Sequence, residues 1–282
     1  MSRLSLSAIG ALLICLFSLP VLAGSLLFAV NEGTSSSTDA IFMKGKYSPL
    51  ADYLAAASGE KIVLETPKVL SIVDRNLKNK RYDLLLVRPS HLSARAMRDH
   101  GYRLLAVANG DAKVHFIVRG DSKLKELADI KGHTIAMPDP LAYPTNLALA
   151  VLRDKGINPA QEKIHYMDRQ DAVGMVVNSG MSEVGVVMSY SKPGIDWQKS
   201  GGRFLYTKGN LPYWSIIVSS SVPPQTVERL KRALLALNGS AKHNGLLGTL
   251  GIAGFNEGKQ QAYLDMLEWV EGKRPAQIAQ AM

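Results

Sequence analysis

The stretch LADIKGHTIAMPDPLAYPTNLALAVLRDKGINP, residues 127–159, reads as a short helix, a turn, a buried strand from His133 to Met137 and a proline-punctuated loop. A long helix is expected from Pro144 to Lys155. Pro144 suits a first helical turn, where its missing N–H costs nothing, and Gly156 suits the C-terminal end. In an open α/β sheet, the loop after a strand and the N-terminus of the helix behind it form a ligand crevice. The free N–H groups and positive dipole end of such a helix favour anions. Many folds share that crevice, so the function has to come from its surroundings.

The same alternation runs along the rest of the chain. Strands are expected at 26–31, 61–65, 83–87 and 103–108, with helices at 47–58, 69–78 and 90–100 between them. A strand at 114–119 can carry the chain into a second lobe. There, strands at 133–137, 163–166, 184–188 and 203–206 accompany helices at 144–155 and 168–178. A strand at 214–219 can carry it back, before helices at 224–237, 242–250 and 259–270. The pattern predicts an α/β fold of two lobes, each a mostly parallel sheet flanked by helices, joined by a two-stranded hinge. Lobe one takes residues 24–115 and 214–282, and lobe two takes 116–213.

Residues 1–23 have the plan of a cleavable export signal. Arg3 supplies a positive charge, Ile9 to Leu22 an apolar core, and Val21-Leu22-Ala23 a small-residue exit. The chain is therefore expected to be exported, and removal of the signal leaves about 260 residues, enough for two lobes of roughly 100 to 150 each. Cys15, the single cysteine, lies inside the signal, so a disulfide, a thiol nucleophile and a Cys-bound metal are not expected. With 46% hydrophobic and 20% charged residues the chain has the make-up of a globular protein with a sizeable core. The net charge of +9 is spread among acids without a run of five like charges. That pattern does not indicate a nucleic-acid tail and leaves a field suited to small anions. The six histidines form no H-x-x-x-H or H-E-x-x-H pattern, and there is no G-x-S-x-G elbow. Ser189 to Lys192 spells S-x-x-K without its companion motifs. No cofactor, no metal and no catalysis are expected.

Four segments then carry a likeness. The first is Tyr47-Ser48-Pro49-Leu50-Ala51-Asp52-Tyr53-Leu54 with the strand from Gly59 to Val63. The second is Tyr82-Asp83-Leu84-Leu85-Leu86-Val87 with Pro89-Ser90-His91-Leu92. The third runs from Phe116 to Ser122 and on through Leu127-Ala128-Asp129-Ile130-Lys131-Gly132, and the fourth is the Asp139-Pro140 loop with its helix. In this order and spacing they resemble the periplasmic solute-binding proteins of phosphate, phosphite and phosphonate ABC importers. The resemblance implies a type II sheet topology, two lobes closing over a small anion, and delivery to a membrane permease by a monomer. It leaves the ligand open. Phosphonate binders of that family begin the second-lobe helix with a run of Ser and Thr, whereas this chain has Leu141-Ala142-Tyr143-Pro144-Thr145-Asn146. Some of them also place an acid after a later strand, where this chain has Met188-Ser189-Tyr190. The alternative role is a ligand-sensing module that signals to a membrane partner such as a histidine kinase.

The residues themselves offer candidate ligand contacts. Arg88 ends an apolar strand, and a guanidinium there can hold an oxyanion through two parallel hydrogen bonds; its plain alternative is a surface ion pair. Ser90 and His91 open the next helix, Ser90 as cap or contact and His91 as donor or pH sensor. Tyr143, Thr145 and Asn146 start the second-lobe helix, where capping is the competing role. Thr34 sits in the loop after the first strand, and Tyr47 at a helix start. Ser189 and Tyr190 end a strand, and Tyr213 and Trp214 mark the return crossing. Glu32 is awkward beside an anion, and would pair with Arg88 or meet a cationic part of the ligand.

Overall fold

The computed structural model describes residues 25–33, 40–239 and 243–273. The expected export signal and Thr34 lie outside the described residues. From Ser25 the chain alternates β1 (Ser25–Asn31), α1 (Ala40–Ser58), β2 (Lys61–Glu65), α2 (Leu70–Lys78), β3 (Leu84–Val87), α3 (Ser90–Asp99) and β4 (Tyr102–Ala108). A second sheet opens with β5 (Ala112–Val118). It continues through β6 (Thr134–Pro138), α4 (Tyr143–Asp154), β7 (Lys163–Met167), α5 (Gln170–Asn178), β8 (Val184–Met188), α6 (Lys192–Asp196) and β9 (Arg203–Leu211). The chain then returns through β10 (Ser215–Ser219), α7 (Pro224–Ala236), α8 (Asn244–Leu250), β11 (Phe255–Asn256) and α9 (Gln260–Val270).

The two sheets share one plan. Their orders are β2-β1-β3-β10-β4-β11 and β7-β6-β8-β5-β9. In each, the lobe's own second, first and third strands lie side by side and parallel, and the strand arriving from the other sheet is inserted antiparallel before the fourth. A strand that enters across the cleft must run against those that leave toward it, which is why β5 and β10 oppose their neighbours. This is the type II order, and the first four strands native to each lobe keep the parallel direction expected from the βαβ alternation, while the two-residue β11 adds an antiparallel edge beside β4. The crossing strands pair along their whole length, β5 running beside β9 from Ala112 to Val118.

Strand pairing and local hydrogen bonds accompany the differences in element limits. Helix α1 starts at Ala40, ahead of the expected Tyr47, and runs through Pro49. Pro49 lacks the N–H of a normal turn, and the Ser48 hydroxyl donates to Lys44 O at 2.6 Å nearby. Strand β9 extends to Leu211 because β5 offers it a partner there, although Thr207-Lys208-Gly209-Asn210 has no apolar alternation. Helix α6 was not expected: it is five residues long, too short to register a period, and is begun by Ser191, whose Oγ accepts from Gly194 N.

One apolar core spans both sheets. Leu85 and Val87 of the first sheet and Phe116, Ile135 and Val186 of the second belong to the same buried cluster, with Tyr263, Met266 and Trp269 of α9. That helix is fastened on both sides. Trp269 Nε1 donates to Asp154 at the end of α4 at 2.6 Å, and Arg153 donates to the carbonyls of Trp269 and Val270. On the other side Arg98 of α3 is paired with Glu271 at 2.6 Å.

Candidate functional site

Strand register assembles the site. In the parallel β1–β3 pair Asn31 lies opposite Val87, so the next residues, Glu32 and Arg88, leave the sheet side by side. In the antiparallel β3–β10 pair Ser215 lies opposite Val87, so Trp214 enters the sheet on the other flank of Arg88. Arg88 N donates to Asn31 O at 3.1 Å, fixing the guanidinium's stem. The loop after β1 turns at Gly33, where Asn31 Oδ1 accepts from Gly33 N at 2.7 Å. Its φ of +69° and the approach of Pro89, whose Cδ would lie 2.9 Å from an added Cβ, both require glycine there.

Glu32 collects three donors. Its Oε1 accepts from Lys46 Nζ at 2.7 Å and from Tyr47 Oη at 2.6 Å, both on α1, and lies 3.1 Å from Arg88 Nη2. The Arg88 and Glu32 side chains are only 15% and 11% exposed, which separates this pair from a solvated surface bridge. Burial pushes the Glu32 carboxyl up, but Arg88, Lys46 and Tyr47 outweigh it and hold it below the usual carboxylate range. Burial and then the neighbouring Glu32 drive the Tyr47 phenol well above its ordinary value, so it remains a donor at neutral pH.

Aromatic rings from both sides of the cleft enclose Arg88. Its guanidinium lies 3.9 Å from the Trp214 ring centroid and 5.7 Å from that of Tyr190, the second residue after β8. Tyr213 stacks on Trp214 at 4.7 Å, and Tyr190 meets both edge-on. A desolvated arginine–indole stack contributes about 2 kcal/mol. Arg88 Nε and Trp214 Nε1 are buried and lack a hydrogen-bond partner. The arrangement is a positively charged, aromatic-walled niche with N–H groups to offer an acceptor.

The other candidates serve nearby joints. Ser90 Oγ donates at 3.0 Å to the carbonyls of Pro212 and Tyr213, tying α3 to the return crossing. His91 is buried and stacked on Tyr143 at 5.8 Å, a contact from one lobe to the other. Burial, then Arg95, pulls its pKa down to about 3, so it is neutral where a pH sensor would be titrating. Tyr143 donates to Pro212 O at 3.2 Å. Thr145 is buried with its hydroxyl on Pro138 O at 2.9 Å, and Asn146 Nδ2 reaches Pro140 O and Ala142 O. Both side chains therefore hold the β6–α4 loop, because a tight strand-to-helix turn leaves those carbonyls in need of donors. Ser189 Oγ accepts from Lys113 N at 3.1 Å in the crossing region. Thus Arg88, Tyr47, Tyr190 and Trp214 converge, with Glu32 as the pairing partner. Lys46 was missed; its only signal was its place beside Tyr47 on α1. Among the described residues no group of three His, Cys, Asp or Glu is placed to hold a metal ion.

The sheet order and the niche between the sheets are those of a two-lobe type II periplasmic binding protein. The chain belongs to the family of periplasmic substrate-binding proteins of phosphonate ABC transporters, whose model matches residues 33–263. Among solved structures, a Xanthomonas citri protein bound to chloride ion is 17% identical, with a TM-score of 0.75 over 89% of this chain and 98% of that one. The same protein bound to ATP is 16% identical with a TM-score of 0.74, again over 89% and 98%. PhnD1 from Prochlorococcus marinus in complex with methylphosphonate is 13% identical, with a TM-score of 0.71 over 89% and 99%. Comparison with curated proteins gives no match.

Proposed function

We propose that this protein captures a small oxyanion of the phosphonate or phosphate type between its lobes and hands it to the membrane permease of an ABC importer. It acts as an exported monomer, residues 1–23 being its cleavable signal, and performs no catalysis. The carrying observation is Arg88: a guanidinium at the mouth of the first sheet, stacked between rings from both sides of the cleft, with a buried Nε that has no acceptor. A buried donor without a partner costs about 1–3 kcal/mol, which an incoming oxyanion would recover. Because Tyr190 follows the second sheet and Arg88 the first, an anion seated there touches both lobes and favours the closed state by its differential affinity.

The test is a thermal-shift panel of phosphate, phosphite, alkylphosphonates, sulfonates, dicarboxylates and amino acids on the mature chain. A ligand at a hundred times its Kd adds about 2.7 kcal/mol of stability. The expected result is a shift with an oxyanion and none with amino acids. A shift confined to amino acids or dicarboxylates reassigns the ligand. No shift with any of them removes the transport reading of the niche.

A further inference from the structure

The niche contains its own anion. We infer that Glu32 is a specificity-determining residue that sets the ligand's charge: it cancels one of the two cations of the first-lobe half-site, so the niche selects a singly charged oxyanion over a doubly charged one. The inference rests on the proposed oxyanion function. Among the described residues, the charged groups acting on Glu32 are Arg88 and Lys46. With Glu32 ionised and Tyr47 neutral, these three charged side chains leave one net positive charge, and the surrounding rings of Tyr190, Tyr213 and Trp214 carry none. A second negative charge on the ligand would face the Glu32 carboxylate without a matching cation, in surroundings where little water screens it.

The hydrogen bonds agree with the charge count. Glu32 occupies Arg88 Nη2, the Lys46 ammonium and the Tyr47 hydroxyl on one oxygen, and leaves Arg88 Nε without an acceptor. A dianion competing for Arg88 and Lys46 would have to displace a carboxylate already held by three donors. A monoanion needs to take only the donor that is free. Glu32 is ionised across the neutral range because its pKa is held down, so the selection is a fixed property of the niche.

The experiment is isothermal titration of the mature chain with methanesulfonate and methylphosphonate at mildly alkaline pH, where the two match in shape and differ by one charge. The native protein should bind methanesulfonate at least about tenfold more tightly, a difference of about 1.4 kcal/mol. Glu32→Gln keeps an acceptor for Tyr47 and removes the charge, and should shrink or invert that ratio by about tenfold or more. Lys46→Met leaves Glu32 in place and should move the ratio the other way, so the inference stays testable if Glu32→Gln does not fold. A native preference for the dianion overturns it, as does a ratio that neither substitution changes; in either case oxyanion binding itself would stand. Binding of neither ligand by the native protein would bring down the inference together with the oxyanion reading.

Discussion

Arg88 takes part in an ion pair with Glu32, a stack on Trp214 and a contact with Tyr190, so its removal should be felt through binding. Arg88→Ala is expected to weaken oxyanion affinity by at least about 1.5 kcal/mol, the loss of one charged hydrogen bond. Glu32 would still have Lys46 and Tyr47, so the fold should survive, which circular dichroism checks. Unchanged affinity by titration calorimetry would take Arg88 out of the site. His91 allows a separate test. Its pKa is about 3 in the folded protein, against an ordinary value near 6.5 in the unfolded chain. Below pH 6.5 the unfolded state binds a proton that the folded state refuses, so stability falls as pH drops toward 3. The slope from this residue is about 1.4 kcal/mol per pH unit. His91→Gln should flatten the fall in melting temperature between pH 6.5 and 4.5. Part of the slope would persist, because burial and Lys113 also lower His115 to about 4.

At the scale of elements, α9 is the piece whose role the sequence understated. Its periodicity was plain, but not that it lies against both α3 and α4. Trp269 is buried, donates to Asp154 and sits in the core cluster that joins the two sheets. Trp269→Ala should cost about 3–5 kcal/mol by denaturant unfolding, the usual penalty for removing a buried indole. A loss below about 1 kcal/mol would mean that the helix contributes little to the joint. The strand ends tell a complementary story. Leu84 to Val87 was readable as a buried strand from four consecutive apolar residues, and Arg88 as the residue leaving it. That Trp214 flanks Arg88 follows only from the antiparallel pairing of β10 with β3, a contact between residues more than a hundred positions apart.

For the whole molecule, the shared core predicts how the lobes unfold. Side chains of both sheets and of α9 form one cluster, so calorimetry should record one cooperative transition with matching calorimetric and van't Hoff enthalpies. Two resolved transitions would show that α9 and the crossing strands do not couple the lobes. The proposed closing motion would have to turn at the crossings between β4 and β5 and between β9 and β10, where the chain passes from sheet to sheet.

The amino-acid sequence by itself determined the alternation of strands and helices, the two crossings and the position of Arg88 at a strand end, because apolar period, proline and glycine act over a few neighbouring residues. It also raised the pairing of Glu32 with Arg88 as one of two choices. The tertiary structure forms that pair, brings Lys46 to the Glu32 carboxylate and Trp214 to the Arg88 guanidinium, and turns Thr145, Asn146 and Ser90 toward backbone carbonyls. Those outcomes depend on strand register and on which buried carbonyl lacks a donor, and both are set by contacts between distant parts of the chain.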